Sequence, residues 1–215
     1  MTDRTDPRVA RTVHALQDAI VELAAEQPVS RITVAALAER AGVTRATFYN
    51  RYDSPLDLLI QVLYADLDRG HRREEELLAE GVHPAAEMLR LTTLDVADHV
   101  NRFAAVYRQA LRDPADRGVY DALVRHFTGH ALTFMARSTR PDVPRTNRDI
   151  VAAFVAHGFA GAIVAWLGDP AASKEELVDA AVACAPAWWS WTGTTPHGAR
   201  PGTRTHSPPG STPDR

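Results

Sequence analysis

Apolar residues recur at intervals of three and four along most of the chain, and no stretch alternates like a strand over a useful length. This pattern predicts an all-α protein. The first helix is expected over about Arg8–Glu26, with Val9, Val13, Leu16, Ile20, Leu23 and Ala24 on one face. Pro7 suits its first turn, and Pro28 and Ser30 end it. Thr33 is placed to cap a second helix holding Val34, Leu37, Ala38 and Ala41. Gly42 follows, where a left-handed residue ends a helix. Thr44 is placed to cap a third, short helix from Arg45 to about Tyr52. Ser54 as cap and Pro55 at the first position open a fourth, expected to run to roughly Asp68.

The helical pattern resumes near Pro84, with candidates around Met88–Val96, Phe103–Leu111 and Val119–Met135 broken at Asp113-Pro114. A polar loop covers Ser138 to Arg148. Two closing helices follow, one over about Asn147–Leu167 and one opening at Ser173 with Glu176 three residues on, a capping-box spacing. Residues 193–215 are Gly, Pro, Thr, Ser and Arg with almost nothing apolar, so a disordered tail is expected. The organisation predicted is an arm at 1–7, a three-helix head at 8–53, a helical body at 54–192 and the tail at 193–215.

The chain has 215 residues and a net charge of −3, so any affinity for nucleic acid must come from a local patch. Its basic residues are nearly all Arg, suited to bidentate phosphate contact; Lys174 is the single Lys. The lone cysteine, Cys184, excludes an intrachain disulfide and reads as a small buried apolar residue. No secretory signal is visible and no apolar run is read as long enough to span a bilayer, which together predict a cytoplasmic protein without a membrane partner.

The segment Thr33–Tyr52 carries the chemistry. Two short helices joined by a turn at Gly42 and Val43 have the form of a helix-turn-helix, with Ala46 expected to face inward and Leu37, Phe48 and Tyr52 to close a small core on the first helix. Arg45 and Asn50 can hydrogen-bond base edges, while Thr33, Thr44, Tyr49 and Arg51 suit phosphate oxygens. The two helix N-termini add backbone N–H groups for phosphate. Arg4, Arg8 and Arg11 are placed to reach the backbone or a minor groove.

Residues Arg8–Leu63, through ITVAALAERAGVTRATFYNRY and LDLLIQVL, resemble the DNA-binding head of the tetracycline-repressor (TetR) family. The resemblance implies a homodimeric regulator, usually a repressor, that binds a palindromic operator in double-stranded DNA and is released by a small-molecule effector. It implies phosphate contacts from Thr33, Thr44 and Tyr49, and a groove-facing set of Arg45, Thr47 and Asn50. The chain departs from the family at Arg51-Tyr52, where His-Phe is common, and at Pro55, where a phosphate-binding Lys is common.

The last two helices resemble the family's dimerisation pair, which implies an interface of Phe154, Gly158, Gly161, Ala162, Ala165, Trp166, Leu177 and Ala181. An effector pocket is expected among the middle helices, lined by Met88, Leu91, Phe103, Tyr107, Tyr120, Phe127 and His157, with Phe134 a further candidate. His126 and His130 sit four apart, but two histidines without a placed third ligand do not define a metal site. No catalytic constellation and no cofactor motif is present, so an enzyme is not expected. The competing reading is a helical small-molecule carrier or enzyme with a vestigial head, which predicts no sequence-specific DNA binding.

Overall fold

The computed structural model describes residues 7–80, 85–138 and 140–189, so the predicted arm, apart from Pro7, and the predicted tail lie outside the described residues. Among the described residues every regular element is helical. The head comprises α1 (Pro7–Glu26), α2 (Val34–Arg40) and α3 (Arg45–Tyr49). The body follows with α4 (Pro55–Glu80), α5 (Ala85–Arg102), α6 (Ala104–Arg112), α7 (Arg117–Arg137), α8 (Arg148–Gly168) and α9 (Lys174–Cys184). Short 3-10 turns stand at Val29–Arg31 and Pro114–Asp116.

The predicted caps form. Thr33 Oγ1 accepts from Ala36 N and Thr44 Oγ1 accepts from Thr47 N at 3.2 and 3.1 Å. Ser173 and Glu176 complete a reciprocal capping box. Gly42 holds φ at +64°, and a Cβ there would meet nothing within 4 Å, so backbone conformation rather than space selects glycine.

Leu16, Ile20 and Leu23 of α1 join Leu37, Phe48 and Tyr52 in one buried cluster, and that cluster continues through Leu58, Leu59 and Leu63 of α4 into the body. The packing corrects the inward role expected of Ala46, which is exposed; Phe48 fills that space instead. α3 also ends three residues earlier than expected, at Tyr49, and α4 runs to Glu80 rather than Asp68.

Head and body are tied by more than the α4 connection. α1 packs against α6. Asp116, 1% exposed, accepts from the backbone N–H groups of Val29 and Ser30 at 2.7 and 2.9 Å. Those groups open the 3-10 turn after α1, so a body carboxylate supplies acceptors that the turn's first residues otherwise lack. Gln109 Nε2 donates to Glu26 O at 3.2 Å beside it.

In the body α7 lies along α8, and α9 packs mainly on α5. α8 buries Ala152, Ala156, Ala160, Ile163 and Leu167 and exposes Ile150, Phe154, Gly158, Gly161 and Ala165 on the opposite side. With 21 residues and a mean hydropathy of 2.0 over its most apolar window, α8 meets the length and composition of a bilayer span. This corrects the reading that no apolar run reaches that length. A second, smaller cluster of Ala131, Met135, Val143 and Ala152 is covered by Phe134, Trp188 and Trp189, with Phe134 and Trp189 stacked at 5.2 Å.

Candidate nucleic-acid interface and body cavity

The outer face of the helix-turn-helix is built by elimination. Phe48 is fully buried and edge-on to Tyr49 at 5.5 Å, so the α3 residues beside it must point away from the core. Tyr49 is 61% exposed, and Arg45, Asn50, Arg51, Thr33 and Thr44 are exposed as well. Thr47 is half-buried, its hydroxyl 2.9 Å from that of Thr44. Six of the seven expected DNA-facing residues are thus exposed to solvent, and the seventh, Thr47, is half-buried. A shallow crevice lined by Arg8, Val9, Thr12, Thr47, Asn50 and Arg51 joins α1 to the end of α3, bringing Arg8 alongside Arg51. Arg40 is turned elsewhere: it pairs with Glu22 and Glu26 of α1 at 3.2 and 3.3 Å, which raises its pKa.

At Pro55, where the family resemblance leads one to expect a lysine, Ser54 Oγ accepts from Asp57 N at 3.0 Å and Asp57 Oδ2 accepts from Asp53 N at 3.3 Å. Ser54 thus caps the first turn of α4, and the Asp57 carboxylate holds the backbone just before it.

The body holds a cavity of about 660 Å³ walled by α4, α5, α7, α8 and α9. Of the residues expected to line an effector pocket, Phe127 alone lines it. Phe103 packs its ring on His99 at 5.0 Å, Tyr107 is buried, and Tyr120 lies near exposed His157 at 6.3 Å. Met88 is buried and Leu91 half-buried, both outside the wall, and Phe134 belongs to the smaller cluster. The wall instead includes Phe154, Gly158, Ala162 and Ala181, which were expected at a dimer face, together with Asp66, Arg69, Arg102 and Trp189. Cys184 also borders the cavity and is exposed, correcting its expected burial. Leu177 is buried within the protomer, and Trp166 Nε1 donates to Ala172 O at 3.2 Å, so both serve internal packing.

His126 lies 3.9 Å from Asp68 and against Tyr64, and His130 lies against Trp189. Among the described residues no group of three or more His, Cys, Asp or Glu is arranged to hold a metal ion.

The main buried polar network of the body is Asp66–His99–Tyr107. His99 Nδ1 lies 2.8 Å from Asp66 Oδ2, and its Nε2 lies 2.8 Å from the Tyr107 hydroxyl. A carboxylate only accepts, so Nδ1–H donates to Asp66 and Nε2 accepts from Tyr107. Burial, with Arg102 and Arg69 nearby, lowers the His99 pKa to about 3, and burial raises that of Tyr107. The folded protein thus keeps His99 neutral, whereas an unfolded imidazole takes up a proton below pH ~6.5. Stability should fall as pH drops from 6.5 towards 3, by at most about 1.4 kcal/mol per pH unit from this group. Urea midpoints across that range, with His99→Gln as the comparison, measure it.

A helix-turn-helix with a polar, arginine-bearing face, fused to a helical body with an open cavity, is the architecture of a DNA-binding regulator. Residues 16–62 match the model of the bacterial regulatory proteins, tetR family. The chain is a DNA-binding transcriptional regulator whose residues 16–62 are similar to the head of that family. Most of the fold is shared with solved structures at low identity. The fatty acid degradation regulator FadR from Bacillus halodurans aligns with a TM-score of 0.57 and 16% identity, covering 84% of this chain and 95% of its own. The transcriptional regulator FadR from Bacillus subtilis, solved in complex with stearoyl-CoA, gives 0.55 and 20%, covering 79% and 95%. A tetR-family regulator from Streptomyces coelicolor gives 0.52 and 16%, covering 79% and 78%. No curated protein sequence matches the chain.

Proposed function

We propose that the protein is a cytoplasmic, homodimeric repressor that binds a palindromic operator through a head at 8–53 and is released by a small molecule held in its body, residues 54–192. The observation that carries this is the exposed face of α3, where Arg45, Tyr49 and Asn50 project from a turn fixed by buried Phe48. In this docking Arg45 and Asn50 read base edges beside Thr47, and Thr33, Thr44, Tyr49 and Arg51 meet phosphates. The role requires no catalytic step. Selection of bound duplexes from a random pool by the full-length protein tests it: an inverted repeat with half-sites about one helical turn apart is expected, and recovery of no motif speaks for the carrier reading.

A dimer through α8 is supported by two features. Ile150 and Phe154 are 70% and 80% exposed, an apolar pair that water solvates poorly. A Cβ at Gly158 or Gly161 would meet nothing within 4 Å, so packing inside the protomer gives no reason for glycine there. Each glycine costs the helix about 0.5–1 kcal/mol relative to alanine, a cost that close approach of a second helix offsets. Ile150→Glu, outside the cavity wall, is expected to halve the mass measured by light scattering while leaving the helical circular dichroism unchanged. The same variant should weaken operator binding at least about tenfold, because a single head buries too little DNA surface.

The cavity has the size of a small-molecule site, typically about 300–1,000 Å³. The stearoyl-CoA bound by the B. subtilis neighbour is consistent with an effector housed in such a body.

A further inference from the structure

One stretch of the cavity wall carries more cation than carboxylate. Asp66 of α4 is buried, its side chain 3% exposed, yet both Arg69 and Arg102 bond to its Oδ1 while His99 occupies Oδ2. His99 is neutral, so a single negative charge faces two guanidinium groups. The two arginine side chains remain 60% and 56% exposed, and both line the cavity. The other acidic groups on the wall have cations of their own: Asp95 faces Arg73 at 3.7 Å, and Asp98 holds Lys174 at 2.5 Å. Beyond these charged groups most of the wall is apolar, with Leu67, Val96, Phe127, Phe159 and Trp189, and Thr92, Thr93 and His130 are its remaining polar side chains.

We propose that the cavity takes an apolar molecule ending in an anionic group, and that this group binds Arg69 and Arg102 in competition with Asp66. The proposal rests on the reading above that the effector occupies this cavity. Guanidinium forks match carboxylate and phosphate oxygens, so either head group fits the same pair. The competition has a direction through the fold. Asp66 lies on α4, which leaves the head, and is joined through His99 to Tyr107 on α6, which packs on α1. Drawing the arginines from Asp66 therefore loosens a network whose two ends lie on the elements that hold the head.

Calorimetry on the full-length protein with decanoate, decanoyl-CoA and decanol tests the proposal. At least one anionic probe should bind about tenfold or more tighter than decanol, the value of a charge-assisted hydrogen bond. Binding of decanoate identifies a carboxylate head, and binding of decanoyl-CoA alone identifies a phosphate-bearing one. Arg69→Gln and Arg102→Gln should each lose about tenfold for the anionic probe and leave decanol unchanged. Arg69 is well exposed, so its variant remains informative if Arg102→Gln fails to fold. Failure of both anionic probes to bind, decanol binding as tightly as they do, or wild-type affinity in Arg69→Gln overturns the proposal. No DNA is present in the measurement, so its failure leaves the operator reading standing, and loss of operator binding leaves this site standing.

Discussion

Asp116→Ala is expected to destabilise the protein by about 3 kcal/mol, because it strips a charged acceptor from two backbone donors at a buried site. Its two oxygens receive Val29 N and Ser30 N at 2.7 and 2.9 Å, linking the turn after α1 to the start of α7 across more than eighty residues. The nearby links are weaker: Gln109 donates a neutral bond to Glu26 O at 3.2 Å, and Arg31 pairs with Asp113 at 3.4 Å, but that arginine is 70% exposed and the pair contributes little. A urea titration should show a lower midpoint with an unchanged slope, which separates lost stability from a changed unfolded state. The head should also lose amide-exchange protection first, since its turn is what the carboxylate holds. A midpoint within error of wild type would show that head and body hold together without this carboxylate.

Arg45→Ala and Tyr49→Ala are expected to weaken binding to the selected operator strongly while the dimer and its melting curve persist. Both side chains are exposed on α3, so truncation removes no core contact. A lost arginine–base pair costs about 1–3 kcal/mol at each half-site, and a dimer loses it twice. The total corresponds to roughly thirtyfold or more in affinity. The two variants should differ in kind. Arg45→Ala relaxes preference at the base pair it reads, whereas Tyr49→Ala, at a phosphate, weakens all sequences alike. Anisotropy titrations against the operator and single-position variants of it measure both effects. Wild-type affinity in both variants would place the DNA surface elsewhere on the head.

The head was legible because its signals are local. Thr33 and Thr44 cap the helices their spacing predicts, and Gly42 takes the positive φ its position after α2 implies. The extent of α4 was not, because residues 69–80 are a charged run around Gly70 with no clear apolar period, although most of them favour helix. Ala46 misled because a small residue fits either face of a five-residue helix, and the bulk of Phe48 decides which side is buried. The cavity wall had no local signature at all. Asp66 lies more than thirty residues from His99 and Arg102, and only the packing of α4 against α5 joins them. Asp116 is hidden for the same reason: an aspartate in a short turn looks like a solvated loop residue until the opposing turn is in place.

The most direct measurement is the affinity of the wild-type protein for its selected inverted repeat against a scrambled duplex of equal length and composition, compared at each of several salt concentrations. The account predicts a preference of about 10³ or more, with both affinities falling as salt rises because arginines displace counterions from phosphate. Equal affinity for the two duplexes would contradict it.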